Sequence, residues 1–317
     1  MSTTKNSPQI SIIILGGGWL AGLMTHMHNE AKSSGFDLDL ATIELEGSAD
    51  VYCVASGLAR LIVGPKFESV NWVNTLISAT KQRTILLPCS DRGMLALSKA
   101  RDTLDAQGNL CLCSSHHVTN LLNDKASGFL SNIGIGVPPA SGWPMFVKPR
   151  HGCSSRGAME IGNEEQLRAY RQLFGEDCVM QRVMRGSEYS IDAFVGCDGT
   201  LVYCVPRLRK ITFGGSSVSS VTVEGIGERQ VVEQIMHAIG SDLRGPLTVQ
   251  GFIDAESGKF LVSEVNCRIG SGIVASYAAG IPFLDVLKCE LSGTKQHFRN
   301  HRSGICTYRA LMDVSEA

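Results

Sequence analysis

Gln250, Glu264, Asn266 and Arg268 are the side chains whose types and spacing best suit chemistry, and all fall within PLTVQGFIDAESGKFLVSEVNCRIGSG, residues 246–272. Two alternating runs, 247–254 and 259–265, flank Glu256-Ser257-Gly258, and a three-residue loop ending in glycine closes an antiparallel hairpin. If residues equidistant from Ser257 pair, Gln250 faces Glu264 with Cβ atoms about 5 Å apart. A glycine bulge would slip that register by one. Asn266, two residues beyond Glu264, shares its face of the strand. One carboxylate and two amide oxygens then converge, a donor set for a hard cation such as Mg²⁺, which one or two carboxylates and the phosphates of a nucleotide usually hold. The same pattern also describes the polar outer face of an ordinary hairpin.

Cations lie upstream. The strand 145–148 ends in Lys148-Pro149 and runs into Arg150-His151-Gly152-Cys153-Ser154-Ser155-Arg156-Gly157. Small residues with free backbone N–H groups and two arginines can wrap a polyphosphate, and lysine adds a compact charge. A plain surface turn is the other reading. Arg207 and Arg209 share a face beside Lys210, as a clamp for phosphate or carboxylate or as edge charges that discourage strand addition. The stretch 213–220, FGGSSVSS, is expected to be a mobile substrate loop. Near the N-terminus, Gly16-x-Gly18-x-x-Ala21 with Glu44 matches a dinucleotide fingerprint, although any tight strand-to-helix turn needs glycine.

These groups need elements to hold them. Strands are expected at 10–15, 38–43, 51–54, 84–87 and 110–113, and helices at 19–30 and 91–104 with Ser90 as N-cap, a small parallel sheet over roughly the first 115 residues. Beyond it, a helix over 118–130 carries 123–125 on its polar side, and Pro138-Pro139 forces an extended connection. A helix at 164–175, a strand at 178–182 and a hairpin over 189–205 follow. Then come a helix at 228–243, two helices at 273–279 and 282–291 broken at Gly280-Ile281-Pro282, and a closing strand at 305–314.

The 317 residues suffice for about two domains. With 29 basic against 30 acidic residues there is no basic field for nucleic acid. No apolar run reaches the roughly 20 residues that span a bilayer, and the polar start MSTTKNSPQ lacks a signal-peptide core, so a cytoplasmic location is expected. Eleven dispersed cysteines without a Cys-x-x-Cys pair predict neither zinc nor a structural disulfide, and Cys111 and Cys113 are expected to be packed.

The order of these motifs resembles the ATP-grasp superfamily. It is similar to one half of the carbamoyl phosphate synthetase large subunit and to the single-unit ligases that join a carboxylate to an amine. The resemblance rests on Gln250, fourteen positions later Glu264-x-Asn266-x-Arg268, and the break Tyr277-Ala278-Ala279-Gly280-Ile281-Pro282, with Lys125, Lys148 and Gly186-x-Glu188 in the family's order. It implies an α/β fold, α+β in the C-terminal part: a Rossmann-like pre-ATP-grasp domain at 1–115, then an ATP-grasp domain at 116–317 with a lid subdomain about 145–185. ATP would meet Lys125, Lys148 and the loop through Gly152, Ser154 and Ser155. Its adenine would meet main chain at Gln181, Arg182 and Val183, and its ribose Glu188. Gln250, Glu264 and Asn266 would hold Mg²⁺ or Mn²⁺, and Arg268, with Lys148, would act on the transferred phosphoryl group. Arg207, Arg209 and Ser271 are candidates for the substrate.

Three departures bear on this. Arg182 stands where the family commonly has an acid, Gln250 is a neutral first ligand, and the lid loop is poor in glycine. The implied reaction makes an acyl phosphate and then an amide or peptide bond, on an amino acid or similar small carboxylate rather than bicarbonate. Partners are then a carboxylate and an amine, with neither nucleic acid nor membrane, and a homodimer is left open. A non-catalytic ATP-binding module is the alternative, and an NAD(P)-dependent oxidoreductase built on the glycine turn stands behind it.

Overall fold

The computed structural model describes residues 9–45, 52–66, 69, 71–81, 83–152 and 155–310. Its first part is a parallel sheet of β1 (Gln9–Leu15), β2 (Asp37–Leu45), β3 (Arg60–Gly64), β4 (Ile85–Pro88) and β5 (Leu110–Cys111) in the order β3-β2-β1-β4-β5. Helices α1 (Ala21–Ser34), α2 (Tyr52–Ala55), α3 (Trp72–Ala79) and α4 (Asp91–Ala106) alternate with the strands. The central strand β1 shows why this sheet forms. Ile12, Ile13, Ile14 and Leu15 are each at most 1% exposed, and each such side chain contributes about 1.5–3 kcal/mol on burial. Period two sends Ile10, Ile12 and Ile14 into one cluster and Ile13 and Leu15 into another.

Two further sheets follow. After α5 (His116–Asn123) and α6 (Phe129–Asn132), β6 (Met145–Pro149), β7 (Met159–Ile161), α7 (Glu164–Phe174) and β8 (Cys178–Arg182) form a small unit with strand order β7-β6-β8. The largest antiparallel sheet takes β9 (Glu188–Val195), β10 (Leu201–Phe213), β11 (Ser216–Thr222), β12 (Gly245–Ile253), β13 (Phe260–Asn266) and β14 (Cys306–Tyr308) in the order β13-β12-β9-β10-β11-β14. α8 (Glu228–Ile239), α9 (Val274–Ala278) and α10 (Phe283–Ser292) complete the described elements. Ile10, Ile12 and Ile14 share their cluster with Phe194, Tyr203, Phe283 and Leu287, so the parallel sheet and the C-terminal part pack on common apolar ground.

The α/β class and the parallel first sheet agree with the sequence reading, but four local expectations need correction. Residues 52–55 are helical, and the strand falls later, at β3, where it pairs with β2. The expected helix 118–130 breaks after Asn123, where the Asp124 side chain accepts from the Ala126 N–H and two bonds from Arg150. The stretch 213–220 is a hairpin rather than a loop: Gly214 and Gly215 turn with φ of 54° and 75°, and β11 pairs with β10 and β14. The closing strand is only β14, and residues 311–314 of the expected span lie outside the described residues. Ser90 caps α4 as expected, its hydroxyl accepting from the Gly93 N–H at 3.0 Å, and Cys111 and Cys113 are buried together. Among the described residues, no helix is long and apolar enough to cross a membrane.

Candidate active site

The hairpin β12–β13 pairs Gln250 with Glu264 and Thr248 with Asn266, then shifts register between Gln250 and Gly251. Gly251 is required there, because a Cβ would stand 2.2 Å from the Leu261 carbonyl. The shift frees the Ser263 carbonyl to accept from Lys148 Nζ at 2.9 Å, so the bulge anchors a lysine from β6 against the hairpin. The Asn266 amide donates to Glu264 Oε1 at 2.9 Å, which steers the carboxylate.

Lys148 is only 7% exposed. Burial pushes its ammonium down to about 8 and nearby Lys125 adds to this, while Glu264 and Glu188 oppose it. Arg268 donates from Nε to Asp91 Oδ1 at 2.5 Å and from Nη1 to the Ile269 carbonyl at 3.2 Å. Lys125, Lys148, Glu188, Gln250, Glu264 and Arg268 all line one cleft of about 240 Å³. Val137, Phe146, Met184 and Phe252 supply apolar wall in the same cleft. The cleft therefore offers both apolar wall for a flat ring and charged side chains for an anionic group.

The remaining expected site residues fall out as follows. Gln181 and Arg182 line the cleft, and half-buried Val183 follows them without being part of the lining. Arg182 donates to Asp254 at 2.6 Å, so its charge is balanced by the hairpin tip. Gly152 and Ser155 line the mouth, and Ser154 lies outside the described residues. Lys125 Nζ donates to the Gly152 carbonyl at 2.9 Å, and Arg150 forks onto Asp124 at 2.7 Å, which ties the start of the loop down. Burial raises the Glu188 carboxyl, partly offset by Arg209, which bonds it and also donates to the Gly215 carbonyl at 2.5 Å.

Two substrate candidates stand outside the cleft lining. Arg207 is 2% exposed and donates to Asp192, so it is a buried ion pair rather than a group offered to the cleft. The side chain of Ser271 is not part of the cleft lining, and its carbonyl accepts from Arg309. Arg209 does reach the lining, but its Nη atoms are spent on Glu188 and the hairpin turn.

The dinucleotide reading meets an obstacle at Glu44. Its carboxylate, 8% exposed, accepts from the Gly18 N–H at 2.7 Å and the Thr42 hydroxyl at 2.6 Å. The acid that a ribose would need is closing its own glycine turn.

Sequence reasoning missed Asp91, which reaches the cleft from the start of α4, and the apolar wall of Phe146, Met184 and Phe252. Asp91 carried one signal, its place beside a capped helix start at the end of a central strand. The wall residues carried none, since apolar side chains in strands read as core.

Residues 175–311 match the family model described as ATP-grasp in the biosynthetic pathway with Ter operon. A solved structure of N5-carboxyaminoimidazole synthetase from Staphylococcus aureus with ADP is 19% identical and superposes with a TM-score of 0.69 over 94% of this chain and 82% of that one. Residues 175–311 are thus similar to an ATP-grasp family, and the chain shares its fold with that synthetase. Biotin carboxylase from Campylobacter jejuni, in a β-γ-ATP complex, shares the fold at 14% identity and a TM-score of 0.64, covering 90% of this chain and 71% of that one. An L-amino acid ligase from Bacillus licheniformis shares it at 17% identity and a TM-score of 0.64, covering 92% and 77%. A comparison with curated protein sequences gives no match. Within this shared fold the paired Gln250 and Glu264, the buried Lys148 and Arg268 open on the same cleft.

Proposed function

We propose that this protein is an ATP-grasp enzyme, an ATP-dependent carboxylate–amine ligase working through an acyl phosphate. The observation that carries the reading is the convergence of Lys148, Glu264 and Arg268 on one cleft that Phe146, Met184 and Phe252 also line. Adenine fits between Phe146, Met184 and Phe252, with its edge toward the main chain at Gln181 to Val183 and its ribose at Glu188. The phosphates run past Lys125 and Lys148, with Gly152, Ser154 and Ser155 as their expected loop contacts.

The donor set suits Mg²⁺ or Mn²⁺: Gln250 and Glu264 present an amide oxygen and a carboxylate to the cleft, and Asn266, buried outside its lining, holds Glu264 through its amide N–H. When bound, the cation would screen the phosphate oxygens. Arg268 neutralises charge on the γ-phosphoryl group as a substrate carboxylate oxygen bonds to phosphorus and the bond to ADP breaks. An amine then attacks the acyl carbon, the C–O bond to phosphate breaks, and the amine proton leaves to solvent or phosphate. The loop 151–157 serves as a lid that keeps water from the acyl phosphate.

In this reading residues 1–115 form the pre-ATP-grasp domain, 116–317 the ATP-grasp domain, and about 145–185 the lid subdomain. The ligase among the similar structures favours an amino acid or similar small carboxylate. ADP release from a panel of carboxylate and amine pairs is the test. If no pair stimulates release while ATP still binds, the chain is the non-catalytic module instead.

The lysine adds a pH prediction. Lys148 carries its charge below about 8 and sheds it above, so ATP affinity is expected to fall as pH rises from 7 to 9.5. Bound phosphates restore the proton, and calorimetry near pH 8.5 should therefore show proton uptake that Lys148→Met removes. The sign for stability follows. The unfolded lysine titrates near its ordinary 10.5 and the folded one near 8, so the unfolded chain binds more protons between these values. The cost of burying Lys148 is full below pH 8 and fades as pH rises toward 10.5.

A further inference from the structure

We infer that Asp91 is a positioning residue that holds Arg268 ready for the phosphoryl group, an inference that rests on the role given to Arg268 above. Asp91 opens α4, where a helix N-terminus favours negative charge and Ser90 already caps the backbone. It lies 177 residues from Arg268 in sequence, yet its carboxylate takes the Arg268 Nε–H at 2.5 Å. The two side chains are 19% and 18% exposed, so solvent screens the pair only in part.

The main chain brings them together. Ile269 N–H donates to the Pro88 carbonyl at 3.0 Å, which docks the end of β13 on the end of β4 three residues before Asp91. The guanidinium is then fixed at two points, Nε on Asp91 and Nη1 on the Ile269 carbonyl. Neither bond uses Nη2, and both Asp91 and Arg268 line the cleft. A free arginine side chain loses up to about 2 kcal/mol of rotamer freedom when ordered. Asp91 imposes that order before the nucleotide arrives, so Arg268 meets developing charge without reorganising. The contact also makes the first sheet a working part of the ATP site.

The test needs no knowledge of the substrate. Full-length protein and its Asp91→Ala, Asp91→Asn and Arg268→Ala variants are titrated with Mg·ADP and with Mg·ADP–tetrafluoroaluminate, a mimic of the phosphoryl group in transfer. Asp91→Ala is expected to bind Mg·ADP within about twofold of the parent but the mimic about ten- to hundredfold more weakly, the range for losing a hydrogen bond to a charged group. Asp91→Asn should recover most of this, because its amide oxygen still accepts from Nε–H. Combining Asp91→Ala with Arg268→Ala should add nothing to Arg268→Ala alone. Normal mimic binding by Asp91→Ala, beside a loss in Arg268→Ala, would overturn the inference. So would an equal loss of both ligands in Asp91→Ala, the mark of a merely structural residue. Normal mimic binding by Arg268→Ala would sink the role of Arg268 itself, and the positioning role with it.

Discussion

Glu264→Ala is expected to weaken Mg·ATP binding by about 100-fold or more, beyond the 10–100-fold that follows loss of a group merely supporting a metal ligand. The change acts twice. Glu264 is the one carboxylate in the hairpin's proposed donor set, so its loss leaves only the Gln250 amide oxygen, too little for a hard cation. Glu264 also opposes the burial that depresses Lys148. Without it the lysine loses charge at a lower pH, and the phosphates lose a cation as well as a metal. The two losses separate experimentally. Titration with Mn·ATP followed by the Mn²⁺ resonance reports the metal, whereas titration with metal-free ATP from pH 6 to 8 reports the lysine. Glu264→Gln keeps an oxygen but drops the charge, so it should lie between the parent and alanine in the first experiment and match alanine in the second. Metal binding within about tenfold of the parent in Glu264→Ala would place the cation elsewhere.

Much of this site could be read from the chain because its parts sit on one hairpin. Alternation about a glycine-ended loop predicts Gln250 opposite Glu264, and the structure pairs them by way of the bulge, since residues 251–253 pair with 260–262 in a register one residue off. What sequence could not show depends on distance or on context. Arg207 and Arg209 alternate on one strand, and nothing local reveals that one meets Asp192 in the core while the other meets Glu188 at the cleft. Asp91 is brought to Arg268 by the docking of two sheets. Short apolar runs misled for a different reason: in VYCVASGLARLIVG, residues 51–64, periodicity does not say which half is the strand. Glycine and serine misled in FGGSSVSS, where the glycines make the turn and the small side chains suit a strand held between β10 and β14.

The buried pair that replaced a substrate clamp leads to the largest expected effect on stability. Asp192 and Arg207 are 1% and 2% exposed, joined by bonds of 2.9 and 3.4 Å, and Ser276 donates a third to Asp192 at 3.2 Å. Among the described residues the buried Arg207 Nη1 has no partner, so the guanidinium has no spare compensation. Nor can it move toward Gly272, where even a Cβ would stand 2.3 Å from its Cζ. Asp192→Ala therefore strands a charge, at a cost of about 3–5 kcal/mol. Against the 5–15 kcal/mol typical of a folded domain this is a large share, and the urea midpoint should fall accordingly. Replacing both partners, as Asp192→Leu with Arg207→Met, removes charge and desolvation together and should restore most of the midpoint, since such swaps are often neutral or better. The double variant also decides what Arg207 is for. A stable double variant with normal ADP release identifies the pair as scaffold beside the site, whereas a stable one without turnover returns Arg207 to the substrate.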